Sequence, residues 1–366
     1  MRKAFNSVTQ VRACVLEPRG WGPCSAWTRR LTHSCSALVY RWHGAHSDVV
    51  RMEELPLPAV GQHSVRLKML AAPVNPADIN MVQGTYPILP PFPAIGGNEG
   101  VGEVVEVGSG ITSLSLGDWV IPVDAGFGTW RTEAVCDADD LIRVPKDISL
   151  LGAATIGVNP CTAYRMLQDF VHLRPGNTVI QNGANSAVGQ AVIQIAAAMG
   201  VKTINIIRDR PNRWDLVEEL KSMGADYVVT EEDLQSSEME KIFKDVPKPK
   251  LGLNCVGGQS AGLLLSHLDN GATLVTYGGM AKKPLPLPAK FLIFKNINLR
   301  GFWMTQWKRN NREDLTLLQS MVGTLSGLVR SGQLSPSPCV QVPFSLYRQA
   351  LEATVSSHQR KHILLM

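Results

Sequence analysis

Strand and helix patterns alternate through the second half of the chain, and this alternation restricts the fold more than any other feature. Residues 178–181 have a strand pattern, residues 184–199 carry apolar side chains at helical spacing, and residues 202–207 show a second strand pattern. Gly200 follows the helical pattern, at the position where helices commonly end. The alternation continues to about residue 277. Because strands joined by helices form βαβ units, this half predicts a doubly wound parallel sheet of the α/β class.

The first part of the chain has short strand patterns separated by Gly and Pro. Residues 64–71 alternate between apolar and polar side chains, and residues 100–108 and 118–122 are further strand candidates. Residues 362–365 form one more candidate at the end of the chain. A β-rich domain interrupted by a Rossmann domain accounts for this order. We expect the β-rich domain to comprise residues 37–157 and 308–366, and the Rossmann domain residues 158–307.

Positive charge is concentrated at the N-terminus. The chain has a formal net charge of +5, and residues 1–36 contain six basic residues against one acid, Glu17. We interpret residues 1–36 as a mitochondrial transit peptide, which places the protein in the matrix; a tail without an address is the alternative. The remaining chain is neutral by the same count. It therefore has no surplus of basic residues that would indicate nucleic-acid binding.

Other composition features exclude further classes of protein. No run of 18 apolar residues is present, so the sequence predicts no membrane span. The seven cysteines include no C-x-x-C pair and no close cluster with histidine. A structural zinc site and a disulfide framework are therefore not expected.

The turn after the first strand of the predicted Rossmann domain has the chemistry of a dinucleotide site. Such a site needs small residues and backbone N–H groups at a helix N-terminus, which G-x-G-x-x-G usually provides. Here the three glycine positions are Ala184, Ser186 and Gly189, so only the last is glycine. The strand before the turn and the helix after it nevertheless favour cofactor binding over an ordinary α/β turn.

The end of the next strand indicates which dinucleotide binds. NAD sites place an acid there, whereas this sequence has Arg208-Asp209-Arg210. Guanidinium groups suit a 2′-phosphate, so the pattern favours NADPH. Asp209 complicates this interpretation because its carboxylate could bind a ribose. The alternative is a solvated loop with ordinary charges.

The element order and the segment Gly97-Asn98-Glu99-Gly100 together resemble the medium-chain dehydrogenase/reductases, from about residue 37 to the C-terminus. The resemblance implies a GroES-like catalytic domain interrupted by the Rossmann domain. Zinc-dependent members have a metal-binding histidine where this chain has Asn98, and an amide is a poor zinc ligand. We therefore expect no metal.

Further motifs resemble the zinc-free branch of that family, in particular the mitochondrial trans-2-enoyl thioester reductases. The resemblance implies NADPH-dependent reduction of a trans-2-enoyl thioester, carried on acyl carrier protein or CoA, to a saturated acyl thioester in fatty acid synthesis. It also implies a homodimer through Rossmann edge strands, for which residues 291–299 offer apolar material. The motifs are Asn75-Pro76-Ala77-Asp78, Gln83-Gly84-Thr85-Tyr86-Pro87, Gly157-Val158-Asn159-Pro160, Tyr277-Gly278-Gly279-Met280 and Arg300-Gly301-Phe302-Trp303.

The resemblance also implies the site residues. Tyr86 is the candidate catalytic donor, either to the thioester oxygen, where negative charge develops, or to C2; the alternative is a packing aromatic. Besides Arg208, Asp209 and Arg210, the implied cofactor-binding residues are Asn159, Asn185, Ser186, Ala187, Val188, Tyr277, Gly278, Gly279, Met280, Phe302, Trp303, Met304 and Lys361. Several have ordinary alternatives: a helix cap for Asn159, core packing for the 302–304 segment, and a solvated surface position for Lys361.

Two other functions stay open at this point. A zinc-free quinone oxidoreductase would share the fold and the cofactor, and Trp303 would suit a flat ring as well as an acyl chain. A non-catalytic Rossmann protein that serves as a binding partner would have no need of Tyr86, Arg208 and Arg210.

Overall fold

The computed structural model describes residues 33–356 and 360–366. Its strands are β1 (Ser34–Tyr40), β2 (Arg51–Pro56), β3 (Ser64–Val74), β4 (Ala94–Ile95), β5 (Val101–Val107), β6 (Trp119–Pro122), β7 (Glu133–Asp137), β8 (Leu141–Val144), β9 (Thr178–Asn182), β10 (Lys202–Ile207), β11 (Tyr227–Thr230), β12 (Leu251–Asn254), β13 (Thr273–Thr276), β14 (Asn298–Gly301), β15 (Cys339–Pro343) and β16 (Lys361–Leu365). Its helices are α1 (His46–Val49), α2 (Pro76–Val82), α3 (Leu150–Thr155), α4 (Asn159–Asp169), α5 (Ala187–Ala198), α6 (Arg213–Ser222), α7 (Glu238–Asp245), α8 (Gly258–His267), α9 (Ala289–Ile293), α10 (Met304–Asn310), α11 (Leu315–Arg330) and α12 (Tyr347–Ser356).

Strands β9 to β14 form one sheet in the order β11-β10-β9-β12-β13-β14, and every neighbouring pair is parallel. All five residues of β9 are buried, as expected for a central strand covered by helices on both faces. The chain winds outward from β9 in one direction and then from β12 in the other. Ligands of such sheets bind beside the carboxyl ends of the strands at this reversal point. The doubly wound sheet is as the sequence predicted.

The β-rich part contains a seven-stranded sheet and a smaller three-stranded sheet. The larger sheet runs β15-β16-β3-β5-β6-β8, with β7 also paired to β3. Strand β16 pairs antiparallel with β3, so the end of the chain returns to the first part as predicted. The smaller sheet has the order β2-β1-β4.

A shared hydrophobic core joins the two parts. Ile121 and Ile142 of the β-rich part are buried in the same cluster as Met166 of α4, Val179 of β9 and Leu325 of α11. Because these side chains are almost fully excluded from solvent, the β-rich part and the parallel sheet cannot separate without exposing apolar surface. This packing sets the geometry of the cleft between them.

The structure corrects one predicted boundary, that of the transit peptide at residue 36. Strand β1 starts at Ser34, which is paired with Pro56, and Cys35 is only 3% exposed. Residues 34–36 therefore belong to the folded part. The rest of the predicted transit peptide, residues 1–32, lies outside the described residues.

Helices α10 and α12 are among those that the sequence patterns did not predict. Helix α10 crosses the boundary expected between residues 307 and 308, because its charged residues gave that segment the pattern of a polar connection. Helix α12 buries Tyr347, Ala350 and Leu351, whose spacing is helical but covers less than two turns. Within residues 33–356 and 360–366, no helix is long and apolar enough to cross a membrane.

The start of β1 at Ser34 leads to a prediction about truncated chains. A chain that starts at residue 33 keeps all the contacts described here. A chain that starts at residue 37 loses the pairing of Ser34, Cys35 and Ser36 with β2 and the hydrogen bond from the Ser36 N–H to Thr132 Oγ1. We expect its melting temperature to be lower by several degrees, since each kcal/mol corresponds to about 2–4 °C in large domains. Equal melting temperatures for the two truncations would contradict the assignment of residues 34–36 to the fold.

Candidate active site

A cleft of about 640 Å³ lies at the carboxyl edge of the parallel sheet, where the β-rich part faces it. Ten of the predicted cofactor-binding residues line this cleft: Asn159, Asn185, Ser186, Ala187, Val188, Arg210, Tyr277, Gly278, Met280 and Lys361. Further lining residues include Asn75, Pro76, Gln190, Cys255, Ser337 and Arg360. The structure thus brings together residues that are far apart in sequence and come from both parts of the fold.

The turn between β9 and α5 depends on two glycines, Gly183 and Gly189. Gly183 has φ +61°, and a Cβ there would lie 2.5 Å from the Cys255 sulfur. A Cβ on Gly189 would lie 2.5 Å from the Ala184 backbone oxygen. Ser186 caps α5, because its Oγ accepts a hydrogen bond of 3.1 Å from the Gly189 N–H. The backbone N–H groups of this 12-residue helix therefore begin at the cleft, with small residues around them.

Tyr277 and Gly278 lie beside this turn and also line the cleft. The Tyr277 hydroxyl is buried and makes no well-formed hydrogen bond, although the Cys255 thiol and Ser186 are its polar neighbours. Burial raises the pKa of this phenol well above its usual value. A Cβ on Gly278 would lie 2.9 Å from the Cys255 carbonyl oxygen, so the backbone is close-packed here. The close-packed backbone at Gly278 and the helix N-terminus nearby leave room for a dinucleotide to approach the main chain.

The three charged residues after β10 have different positions. Arg210 lines the cleft, whereas Arg208 and Asp209 are exposed at the end of the strand and do not line it. Asp209 is already engaged, because its Oδ1 lies 3.2 Å from Arg213 Nη1 and accepts a 3.1 Å hydrogen bond from the Arg210 N–H. Arg213 was not predicted as a site residue. Its pairing with Asp209 reduces the negative charge available to a ribose and leaves the Arg210 side chain facing the cleft.

Tyr86 lies in the loop that follows α2. Gly84 has φ +76°, and a Cβ on it would lie 2.8 Å from the His43 ring, so the turn needs glycine. The Tyr86 hydroxyl accepts a 2.8 Å hydrogen bond from Trp303 Nε1, and the two rings meet edge to face at 5.8 Å. This contact joins the β-rich part to the end of β14.

The other residues of the 302–304 segment are packed against protein. Phe302 meets Phe170 edge to face at 5.9 Å, and Met304 is 6% exposed. Neither they nor Trp303 and Gly279 line the cleft. Sequence reasoning assigned these residues to the cofactor from the family resemblance alone.

A buried polar cluster lies beside the cleft, and sequence reasoning gave no role to most of it. Asp78 accepts hydrogen bonds from the Asn75 N–H at 2.7 Å and from the Asn98 N–H at 3.0 Å. Burial, together with the nearby Glu99 charge, raises the pKa of Asp78 to about 7. Lys361, rather than being a solvated surface lysine, donates to Asn75 Oδ1 at 2.8 Å. The signal in the sequence is that Asn75, Asp78 and Glu99 occur in segments that resemble those of the family.

No group of three or more His, Cys, Asp or Glu residues in the described part of the chain could hold a metal ion. Asn98, at the position of the family's zinc-binding histidine, instead donates from its side chain to Asp78 at 2.6 Å and accepts from the Gly126 N–H at 2.6 Å.

Comparisons with known proteins agree with this geometry. The family model "Alcohol dehydrogenase GroES-like domain" matches residues 61–146, and the model "Zinc-binding dehydrogenase" matches residues 187–320. The chain is 56% identical to the human mitochondrial enoyl-[acyl-carrier-protein] reductase over 331 residues, which cover 90% of this chain and 88% of that protein. The chain belongs to the mitochondrial enoyl-[acyl-carrier-protein] reductases. This membership confirms the predicted family, the mitochondrial location and the class of enzyme.

Two solved structures extend the comparison. The complex of Etr1p with NADP and crotonyl-CoA is 35% identical, with a TM-score of 0.85 over 91% of this chain and 100% of that chain. The mitochondrial 2-enoyl thioester reductase Etr1p/Etr2p heterodimer from Candida tropicalis is 34% identical, with a TM-score of 0.84 over the same shares. These matches confirm the predicted fold class and NADP(H) as the cofactor of the family.

The raised pKa of Asp78 predicts a pH dependence of stability. An acid whose pKa is higher in the folded state contributes stability below its ordinary pKa of 3.8, and loses that contribution as the pH rises through about 7. We therefore expect the wild-type melting temperature to fall between about pH 5 and pH 8 and the fall to be smaller in Asp78→Asn.

The matched control is Asp147→Asn. The exposed Asp147 has a pKa lowered by its hydrogen bond with Arg330, so it titrates below this window and the variant should keep the wild-type slope. Equal slopes for wild type and Asp78→Asn would show that Asp78 does not titrate between about pH 5 and pH 8.

Proposed function

We propose that this protein reduces trans-2-enoyl thioesters, on acyl carrier protein or CoA, to saturated acyl thioesters with NADPH. The observation that carries the proposal is the position of the Tyr86 hydroxyl. It accepts a hydrogen bond from Trp303 Nε1, so its own proton is free for a second partner. Donation by the indole also polarises the phenol and makes it a better donor.

The reaction needs little beyond such a donor. The thioester carbonyl polarises the double bond, hydride adds at C3 and a proton adds at C2. NADPH, when bound, supplies the hydride. As negative charge develops on the thioester oxygen, a hydrogen bond from the Tyr86 hydroxyl becomes stronger than in the ground state and lowers the barrier. Tyr86 is half-buried, which weakens the competition of water for that hydrogen bond.

The residues that would hold NADPH come from three places. The N-terminus of α5, with Asn185, Ser186, Ala187 and Val188, suits the pyrophosphate, and Arg210 suits the 2′-phosphate. The remaining proposed contacts are Asn159, Tyr277, Gly278, Met280 and Lys361, which line the cleft. For Gly279, Phe302, Trp303 and Met304, the family resemblance is the support. For Arg208 and Asp209, the support is their position at the end of β10.

The proposed function is tested by NADPH consumption with crotonyl-CoA and, in parallel, with a quinone. The proposal expects rapid turnover of crotonyl-CoA and formation of butyryl-CoA. Preference for the quinone would favour a quinone oxidoreductase instead. Absence of turnover with every enoyl thioester, in a protein that still binds NADPH, would favour a non-catalytic role.

We propose in addition that the protein is a homodimer through β14. Among the described strands, β14 pairs only with β13, which leaves one edge of the parallel sheet open. Ile293 and Phe294 next to it are 69% and 79% exposed, and a second copy would cover both the edge and this apolar surface. Sedimentation that shows only monomer at micromolar concentration would contradict this.

Replacing the phenol hydroxyl of Tyr86 tests the chemical step. Tyr86→Phe keeps the ring that packs on Trp303 and removes only the oxygen. We expect the turnover number to fall by roughly 10²–10⁴-fold, the range for a general acid, with little change in NADPH binding. Tyr227→Phe, at the far edge strand β11, is the matched control and should keep wild-type turnover. Near-normal turnover of a folded Tyr86→Phe protein would remove Tyr86 from the mechanism.

Removing the guanidinium groups after β10 tests the choice of cofactor. We expect the double variant Arg208→Ala with Arg210→Ala to raise the Michaelis constant for NADPH by roughly tenfold to a hundredfold, while that for NADH changes little. Because only Arg210 lines the cleft, the single variant Arg210→Ala should account for most of the effect and Arg208→Ala for little. An unchanged constant for NADPH in the double variant would place the 2′-phosphate elsewhere.

A further inference from the structure

The Glu99 side chain is one of the most enclosed carboxylates beside the cleft. It is 3% exposed and lies two residues before β5. Its Oε1 accepts a hydrogen bond of 2.8 Å from the Val158 N–H, and its Oε2 accepts one of 2.8 Å from Asn75 Nδ2. Lys361 Nζ lies 3.4 Å from the same Oε2.

Two of these partners, Asn75 and Lys361, lie side by side at the ends of the paired strands β3 and β16, and the third, Val158, lies at the start of α4. Asn75 links β3 to α2, Val158 directly precedes Asn159 at the start of α4, and Lys361 starts β16. Asn75, Asn159 and Lys361 all line the cleft, whereas Glu99 does not. One carboxylate behind the cleft therefore connects the β3–β16 edge of the β-rich part to the start of α4.

The charges of this cluster depend on one another. The Lys361 side chain is only 8% exposed, and its polar partners are Asn75 Oδ1 and Glu99. A buried ammonium group without an anion is strongly unfavourable, so loss of the Glu99 charge would move or destabilise Lys361. The second nearby carboxylate, Asp78, takes its hydrogen bonds from Asn75 and Asn98 instead.

We infer that Glu99 is a positioning residue. Anchored by Asn75 and by the start of α4, its carboxylate holds Lys361 in the arrangement that binds NADPH. It does so without touching the cofactor. The inference rests on the proposed function, because it requires that the cleft binds NADPH. It assigns a role to the acid that follows Asn98 in the sequence.

The test is the dissociation constant for NADPH in Glu99→Gln, measured by fluorescence titration, together with the turnover number at saturating NADPH. The amide keeps the size of the side chain but removes the charge and turns a donor toward Asn75 Nδ2 or Lys361. We expect NADPH binding to weaken by roughly tenfold or more, the effect of losing about one charge-assisted hydrogen bond, with turnover changed by less than about threefold. A general loss of structure would instead raise the dissociation constant for NADPH and lower the turnover number together.

Glu103→Gln is the matched control. Glu103 lies on β5, four residues from Glu99, and also pairs with a lysine, Lys146, at 3.3 Å, but this pair is exposed and away from the cleft. It should bind NADPH as the wild type does. An equal loss of binding in the two variants would overturn the inference.

A double-mutant cycle identifies the route of the effect. If Glu99 acts through Lys361, adding Glu99→Gln to Lys361→Met should change NADPH binding by less than about threefold, because the group to be positioned is already gone. A full, additive effect in that background would overturn the inference. If Glu99→Gln does not fold, Lys361→Met decides alone, since unchanged NADPH binding would leave Glu99 nothing to position.

NADPH binding by the wild type distinguishes a failure of the proposed function from a failure of the role of Glu99. A wild-type protein that does not bind NADPH would refute the proposed function itself. A wild-type protein that binds NADPH, with Glu99→Gln binding equally well, would refute only the role of Glu99.

Discussion

The parallel direction of all six strands in the central sheet is the constraint on which the site depends. Because the strands run the same way, the ends of β9, β10 and β13 meet at one edge. The turn before α5, Arg210 and Tyr277 follow these ends and therefore share one cleft. Without this arrangement, residues up to about a hundred positions apart in sequence would not converge on one ligand.

The β-rich part supplies the proposed proton donor, Tyr86, and the carboxylate behind the cleft, Glu99. The hydrogen bond from Trp303 to Tyr86 holds the proposed donor where the two parts meet, and Glu99 ties Asn75, Val158 and Lys361 together behind the cleft. Reactive group and cofactor site are thus set by contacts between the parts, which the shared core keeps in place. Asn98 and Asp78 add a hydrogen-bonded support beside the cleft.

Local sequence patterns were sufficient to predict the elements of the parallel sheet and the residues of its first turn. The order of strands and helices, the turn ending at Gly189 and the basic residues after β10 all follow from short segments read in order. The pairing of Lys361 with Glu99 spans 262 residues, so no local pattern could indicate it. The start of the folded part was predicted too late, at residue 37, for a related reason, since Cys35 is buried only by the strands that pair around it. The segment at residues 302–304 shows the converse case, in which a family resemblance named residues that the fold packs against other side chains.

A crystal structure of the protein with NADP⁺ and a bound enoyl thioester tests the central claim most directly. The account predicts that the 2′-phosphate contacts Arg210, that the pyrophosphate lies at the N-terminus of α5, and that the Tyr86 hydroxyl is within hydrogen-bonding distance of the thioester oxygen or of C2 while still accepting from Trp303. A thioester bound away from Tyr86, or a dinucleotide outside the cleft formed by α5, Tyr277 and Lys361, would contradict it.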